Sequence, residues 1–220
     1  MQKFDTPAAI TAVLDIPAGR VQLIAADRTD TTVEIRPADP ANNRDVRTAE
    51  QTTASYADGL LRIHTPEAKN PLFGAGSVEV TVQLPAGSHV EATTEACELR
   101  VVGRLGDLAF DGAYRQIKID EAESVRLTAI DGDIEIGRLG GPAEITTARG
   151  DIRITQATRG TVTLDTQSGS ITVGAAPGVS AALDAATGYG RIGNALRNDG
   201  TTTLDIRATT PHGDITARSL

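Results

Sequence analysis

The sequence predicts an all-β protein, a β-solenoid of about seven coils with an N-terminal antiparallel β region that caps it. Three observations support this fold class. A short phrase built on Gly-Asp-Ile recurs along the second half of the chain, apolar and polar residues alternate around each copy, and aromatic residues make up only 3% of the composition. Alternation with a period of two is typical of strands with one buried face. The scarcity of rings favours a narrow interior that is filled by small branched side chains.

Residues 1–89 are predicted to be antiparallel strands continuous with the solenoid. The strand-like segments are 9–16, 20–26, 31–37, 60–65 and 77–84. Asp58-Gly59 separates two strand-like runs, as in a two-residue hairpin. Segments 38–50 and 66–76 are polar or rich in Pro and Gly, so we expect loops there. Because an uncovered coil presents open backbone groups, this region is expected to cover the first coil.

Residues 90–220 are predicted to form the solenoid repeats. Each copy is centred on an anchor residue, most clearly Gly132, Gly150 and Gly169, with inward residues at offsets −7, −5 and −3 and again at +2 and +4. The first inward residues of the seven copies are 90, 108, 125, 143, 162, 181 and 204, with spacings of 18, 17, 18, 19, 19 and 23. In the last two copies we expect two extra residues in the turn. A period near 18 made of short strands and turns indicates one coil per copy.

The Gly-Asp-Ile phrase has a structural explanation. Gly permits positive φ at the corner between two strands, and the following Asp can accept hydrogen bonds from corner N–H groups. Ile then returns to the buried face. In the segments that follow, Leu105, Leu139 and Ala157 are expected to supply a third inward side.

The last copy ends soon after its strand. Gly213-Asp214-Ile215 is followed by only five residues, and no capping helix follows them in the sequence. The sequence therefore predicts an open edge at the C-terminal copy, covered either from elsewhere or by another molecule.

Composition and charge disfavour several classes of function. The formal charge of −8 opposes binding to nucleic acid or to an anionic membrane surface. No apolar run is long enough for membrane insertion, and the N-terminus lacks the apolar run of a secretory signal, so we expect a cytoplasmic protein. The single cysteine, Cys97, excludes an internal disulfide and any multi-cysteine metal site.

No residue is assigned a catalytic, cofactor-binding or metal-binding role from the sequence. His64, His89 and His212 fall in separate segments without a second ligand at suitable spacing. Cys97 occupies an anchor position that is Gly in other copies, and we expect a partly buried structural thiol. We expect neither an enzyme nor a bound cofactor.

The corner residues offer one weak cation site and two short motifs. Asp133 and Asp151 lie in adjacent predicted coils and could bracket Ca²⁺, but the denser Gly-Asp pattern of calcium repeats is absent, and Ser170 and Arg191 interrupt the series. The Ser-Gly-Ser at 168–170 and the Arg-Gly-Asp within 148–151 occupy repeat corners, where we interpret both as structural.

Residues 14–19 (LDIPAG), residues 78–92 (VEVTVQLPAGSHVEA) and the run of Gly-Asp-Ile coils together resemble the DUF4097 family of bacterial β-strand-repeat proteins, often called adhesins. The similarity covers essentially the whole chain. It implies a β-solenoid fold and no established catalytic activity.

Three functional hypotheses follow. The first is a non-enzymatic scaffold or interaction module that presents a flat face or its open terminal coil to a protein partner, with self-association as the simplest form. The second is an adhesin-like protein that binds at a cell surface, which would need an export signal. The third is an enzyme resembling carbohydrate-active β-helices, which would need a patch of carboxylates on one face.

Overall fold

The computed structural model describes residues 1–66 and 75–220 and confirms the all-β prediction. The strands are β1 Gln2–Asp5, β2 Thr11–Ala26, β3 Asp30–Pro37, β4 Thr53–Ala57, β5 Leu60–His64, β6 Val78–Pro85, β7 His89–Asp131, β8 Ile134–Leu139, β9 Ala143–Arg149, β10 Ile152–Ala157, β11 Gly160–Thr166, β12 Ile171–Ala175, β13 Ala181–Tyr189, β14 Ile192–Ala195, β15 Leu204–His212 and β16 Ile215–Ser219. One helix, α1, spans Asn43–Gln51. Within the described residues, no helix has the length and hydrophobicity to span a bilayer. The chain forms two compact units, Met1–Arg115 and Gln116–Leu220.

In the first unit, the prediction of antiparallel strands is correct for three pairs and wrong for β2. The pairs β1–β3, β3–β6 and β4–β5 are antiparallel. Strand β2 runs parallel to β5 and β6 on one side and to β7 on the other. The physical reason is that β2 carries the same alternation as the repeats, with Gly19 in register with Cys97. Its apolar residues therefore align with those of the first part of β7, within the first unit.

The predicted loop at 38–50 contains helix α1, so that prediction is wrong over residues 43–50. The Asn42 side chain caps the helix by accepting the Arg44 N–H at 3.0 Å. Asp45 is buried and accepts the backbone N–H groups of Asp39 and Ser77. Because these bonds satisfy the carboxylate, a polar sequence can dock as a helix here. Most of the second predicted loop, residues 67–74 of 66–76, lies outside the described residues.

The second unit is a stack of parallel strands in two columns. The first column runs in the order β7, β9, β11, β15, β13, and the second in the order β7, β8, β10, β12, β16, β14. Leu127 and Leu164 are both register partners of Ile145, and all three are at most 1% exposed. The predicted third-side residues of this unit, Leu139 and Ala157, are likewise buried, as is Leu105 in the first unit. A solenoid-like stack of repeats is thus present.

The order of this stack differs from the order of the chain. Strands β15 and β16, which come last in the sequence, lie between the β11–β12 copy and the β13–β14 copy. The predicted open edge at the C-terminal copy is therefore wrong, because β16 has strand partners on both sides. In the part of the chain that the structure describes, the open edge of this unit is formed by β13 and β14.

The last two copies have no extra residues in their turns, contrary to the prediction. Register pairs Leu183 with Ile206, which itself pairs with Val162. Their inward residues therefore keep the offsets −7, −5 and −3 from Gly190 and Gly213. The inward triplets of these copies are Leu183, Ala185, Thr187 and Ile206, Ala208, Thr210. Ala181 and Leu204, the apolar residues that suggested longer turns, lie at offset −9, two residues before the first member of each inward triplet.

Side-chain polarity explains why the β13–β14 copy is at the end. At offset +4 the other copies of this unit place Ile, Val or Ala in the interior, for example Ala217, whereas the end copy has Asn194. Burying an amide without partners costs about 1–3 kcal/mol. At the open edge Asn194 is exposed, and its Oδ1 accepts the Leu196 N–H at 3.0 Å. The more apolar copy, with Ile206 and Ile215, occupies the doubly covered position.

Candidate interaction surface

The corners of the second unit are joined by a ladder of side-chain acceptors. The Asp151 N–H donates to Asp133 Oδ1 at 2.9 Å, and the Ser170 N–H donates to Asp151 Oδ1 at 2.7 Å. The Asp214 N–H donates to Ser170 Oγ at 3.3 Å, and the Arg191 N–H donates to Asp214 Oδ1 at 2.8 Å. Each acceptor thus satisfies a corner N–H of the next copy in the stack, which is the reason for Asp after the anchor Gly.

A second ladder joins threonine hydroxyls to glycine carbonyls. Three hydroxyl groups donate to the carbonyl oxygens of the anchor glycines in the copies that precede them in the stack, at 2.9–3.0 Å. The donors are Thr166, Thr210 and Thr187. The respective acceptors are Gly150, Gly169 and Gly213. Because a carbonyl removed from water needs a partner, Thr at offset −3 has a structural role at these three corners, whereas Ala129 holds that offset before Gly132 and Thr147 donates to the Arg149 carbonyl oxygen.

The acceptor ladder ends at Arg191. At Asp133, Asp151, Ser170 and Asp214 this position carries Asp or Ser, whose oxygens accept an N–H from the next copy. A guanidinium has no acceptor to offer. The β13–β14 copy therefore lacks the group that would cap a further copy of the same kind.

The end copy exposes side chains that are buried elsewhere in the unit. Ile192 is 48% exposed, although its register partner Ile215 is 1% exposed. Tyr189 is 78% exposed and stacks on His212, with ring centroids 5.3 Å apart and an interplanar angle of 14°. Together with the open backbone edge of β13 and β14, these side chains form what we call the end surface: residues 181–195.

The end surface and its following loop carry no net charge. Residues 181–203 contain two Asp and two Arg, whereas the whole chain has a formal charge of −8. A partner that approaches this end therefore meets less repulsion than one that approaches an average part of the surface.

The three histidines are placed in three separate environments. His64 Nδ1 lies 2.9 Å from Asp15 Oδ2, and His89 Nδ1 lies 3.1 Å from Asp107 Oδ2. His212 stacks on Tyr189 at the end surface. Within the described residues, no group of three or more His, Cys, Asp or Glu side chains is arranged to hold a metal ion.

The candidate cation site at Asp133 and Asp151 and the Arg-Gly-Asp motif are both part of the bonding within the stack. Asp133 and Asp151 line an open groove of about 220 Å³ with Glu135, Arg153 and Thr172 among its other residues. One oxygen of each aspartate is engaged by a backbone N–H. In the Arg-Gly-Asp segment, Arg149 Nη1 lies 3.6 Å from Asp131 Oδ2, so both charged residues have partners within the stack.

Cys97 is expected to be unreactive in the folded protein. Its side chain is fully buried, with Sγ 3.7 Å from the Ile16 carbonyl oxygen, and burial raises the pKa of the thiol to about 12. At pH 8 the thiolate fraction is then roughly 1,000-fold smaller than in an unfolded chain. We expect a disulfide reagent to label Cys97 at least 100-fold more slowly in the folded protein than in denaturant. Equal labelling rates in the two conditions would contradict this placement.

The end surface is the part of the site that the sequence did not predict. Its location depends on the inversion of stack order, which the repeat pattern alone does not encode. Two features of the sequence indicate an exception in this region. The longest spacing between first inward residues, 23 residues, precedes the inserted copy, and Asn194 occupies a position that is apolar in the other copies of the unit.

Several solved structures align with nearly the whole chain at low sequence identity. A "putative lipid binding protein" from Parabacteroides distasonis is 12% identical, with 98% of this chain and 95% of that chain covered and a TM-score of 0.48. A "putative adhesin" from Bacteroides fragilis has the same identity and coverage and a TM-score of 0.47. A "putative cell adhesion protein" from Clostridium sporogenes is 12% identical over 100% of this chain and 98% of that chain, with a TM-score of 0.42. Similarity at this level says nothing about function.

Among curated proteins, none matches the chain. A family model described as Toastrack DUF4097 matches residues 11–218, which is nearly the full length. The match includes β2, which pairs parallel to the repeats, as well as the inserted copy β15–β16. The chain therefore belongs to the Toastrack DUF4097 family.

Proposed function

We propose that the protein is a non-enzymatic interaction module that docks through its end surface, residues 181–195, and that its partner is a second copy of the same chain. The single observation that carries this proposal is the open edge of the β13–β14 copy. Within the described residues, β13 pairs only with β15, and β14 only with β16. Beyond Ala181, whose N–H donates to the Arg197 carbonyl oxygen at 2.9 Å, their other backbone edge is available for strand addition.

The apolar content of the end surface favours a protein partner. Ile192 and Tyr189 are exposed, and Leu183 is half-buried at the end of its column. Tyr contributes strongly when it becomes buried in an interface, and a large aliphatic side chain contributes through the apolar area removed from water. An occupant that covers this end would bury Ile192 as the neighbouring copies bury Ile215.

Charge favours a second copy over an acidic or basic partner. The two Asp and two Arg of residues 181–203 balance one another, so two end surfaces can meet without net repulsion. The ladder supports head-to-head rather than continuing association: Arg191 offers no acceptor to a following corner N–H, so a repeat added in the same sense would leave that group uncapped.

Sedimentation velocity over a range of concentrations tests the proposal. We expect concentration-dependent dimers of the unaltered protein, and Ile192→Lys to weaken dimerisation at least tenfold, because the new charge would have to be buried in the interface. Thr163→Lys is the matched control: it adds the same charge at an exposed position of β11, away from the end surface, and we expect it to dimerise as the unaltered chain does.

Two outcomes contradict the proposal. One is a protein that stays monomeric at the highest concentration reached. The other is equal dimerisation by Ile192→Lys and Thr163→Lys, which would place the contact elsewhere.

The adhesin-like alternative uses the same surface with a different occupant, and Tyr189 is the observation that favours it. An exposed ring with one face stacked on His212 offers its other face to a ligand from the cell surface. It requires export, whereas we propose a cytoplasmic location. Fractionation of the native cells distinguishes the two: recovery of the protein outside the cytoplasm would support the adhesin-like function. We also propose that the stack comprises about seven coils and that the N-terminal region, with its parallel strand β2 and three antiparallel strand pairs, covers the first coil.

A further inference from the structure

We propose that the C-terminal repeat, Leu204–Ser219, is exchanged between two copies of the chain. In this arrangement the β15–β16 segment of each copy lies between β11–β12 and β13–β14 of the other. The inference goes beyond docking at the end surface, because it uses the inner edges of the stack.

The inserted repeat is held by contacts that any copy of the chain can supply. Strand β15 pairs with β11 and β13, and β16 pairs with β12 and β14, all in parallel register. All four partner strands precede the insert in the sequence. A second copy therefore offers an identical position with identical buried neighbours for Ile206 and Ile215.

The connection to the insert, residues 196–203, has the features of a hinge. Apart from the half-buried Leu196, its residues are exposed. Several of its hydrogen bonds are local: the Gly200 N–H donates to Asn198 Oδ1 at 2.9 Å, and the Thr201 N–H donates to Asp199 Oδ1 at 3.1 Å. Fully extended, eight residues span about 26–29 Å. The loop can thus lead the insert into a neighbouring molecule without disturbing β14.

The loop is fastened to the stack at Ser180 and by two further backbone hydrogen bonds: the Gly160 N–H donates to the Thr203 carbonyl oxygen, and the Ala181 N–H donates to the Arg197 carbonyl oxygen, both at 2.9 Å. The Asp199 N–H donates to Ser180 Oγ at 3.1 Å, and the Thr203 N–H donates to the Ser180 carbonyl at 2.9 Å. The Arg197 N–H donates to Ser219 Oγ, which belongs to the insert itself. Few bonds must therefore break for the loop to open.

The state without the insert is also compatible with the repeat pattern. The β13–β14 copy keeps the offsets of the β11–β12 copy, so Leu183 matches Val162 and Thr187 matches Thr166. If the insert leaves, β13–β14 can stack directly on β11–β12 in chain order. In the opened chain, β13–β14 then covers the edge of β11–β12 while the β15–β16 segment is free to pair with another copy. No strand edge of β11–β12 is left exposed during the exchange, which lowers the free-energy cost of opening.

Single cysteines in separate copies test the exchange. Ala186 and Thr209 are register partners on β13 and β15, and both are exposed. Neighbouring strands lie about 4.8 Å apart, within the Cα range of a disulfide. We would mix Ala186→Cys with Thr209→Cys at high concentration, warm the mixture below the unfolding transition, cool it and oxidise it. Mass spectrometry then counts the disulfides that join the thiol introduced at position 186 of one copy to the thiol introduced at position 209 of the other.

The matched control is the pair Glu144→Cys and Thr163→Cys on β9 and β11, which are register partners adjacent in both chain and stack. We expect at least ten times more inter-copy disulfide for the β13–β15 pair than for this control. A chain with both Ala186→Cys and Thr209→Cys, oxidised before warming, should no longer exchange. Equal yields for the two pairs would overturn the proposal.

The experiment also separates exchange from docking. The oxidised chain with Ala186→Cys and Thr209→Cys, whose own insert is locked, should still dimerise through the end surface in sedimentation velocity although it no longer exchanges. Loss of the dimer in the locked chain would overturn docking at the end surface and leave exchange as the association, so the two failures are distinguishable.

Discussion

Ile206→Ala is expected to lower the free energy of unfolding by about 3 kcal/mol, whereas Leu183→Ala lowers it by about 1 kcal/mol. The two residues are register partners at the same offset in neighbouring copies. Ile206 is fully buried between two copies, so its truncation leaves a cavity that cannot collapse. Leu183 is half-buried at the open end, where solvent and small movements fill the space.

Urea unfolding followed by far-ultraviolet circular dichroism measures both losses. The comparison tests the inverted stack order directly, because a stack in chain order would cover Leu183 on both sides and leave Ile206 at the end. A larger loss for Leu183→Ala than for Ile206→Ala would therefore refute the inserted position of β15–β16. Neither substitution removes a donor or an acceptor of the corner ladders, so the corner hydrogen bonds do not contribute to the difference between the two losses in unfolding free energy.

Gly150→Ala is expected to destabilise the protein by about 3 kcal/mol or more. Gly150 has φ +131°, a conformation that side chains rarely adopt, and a Cβ there would overlap the carbonyl oxygen of Gly132 in the copy above. Both backbones would have to separate, which would also weaken the Asp133–Asp151 bond of the corner.

Gly200→Ala separates the two causes. Gly200 also has positive φ, +95°, but a Cβ there would have no atom within 4 Å. Its replacement should therefore cost only the backbone strain, about 1 kcal/mol. Thermal unfolding of the two variants gives the difference. Recovery of Gly150→Ala only as insoluble protein, with Gly200→Ala soluble, would also show that Gly150→Ala is the more destabilising of the two. Equal thermal unfolding midpoints for the two variants would exclude close backbone stacking at the corner.

Much of the corner chemistry could be predicted from residues alone. Gly at the anchor, Asp after it and Ile at +2 indicate a turn, an acceptor and a return to the interior, and Asp151 and Ile152 take those roles. The sequence did not show that Asp151 would accept from Ser170 of the next copy rather than from its own turn. A turn motif specifies local geometry, whereas its partner depends on which segment is stacked beside it.

Helix α1 and strand β2 were mispredicted for related reasons. The polar residues around Asp45 are typical of a loop, and the helix is stable there because Ser77, distant in sequence, donates its N–H to the buried Asp45 carboxylate. Strand β2 alternates like any strand, and only its register with β7 makes it part of the parallel stack. In both cases the deciding contact lies far along the chain.

The sequence by itself determined the class of fold, the inward and outward faces of each strand and the corner positions, because these follow from local alternation and from the few residues that tolerate a tight turn. Only the tertiary structure decided the order of the final copies and hence the location of the open end. All copies present similar columns of apolar side chains, so neighbours are chosen by total burial. The copy with Asn194 is left at the edge, where water satisfies its amide, and the copy with Ile206 and Ile215 is covered on both sides.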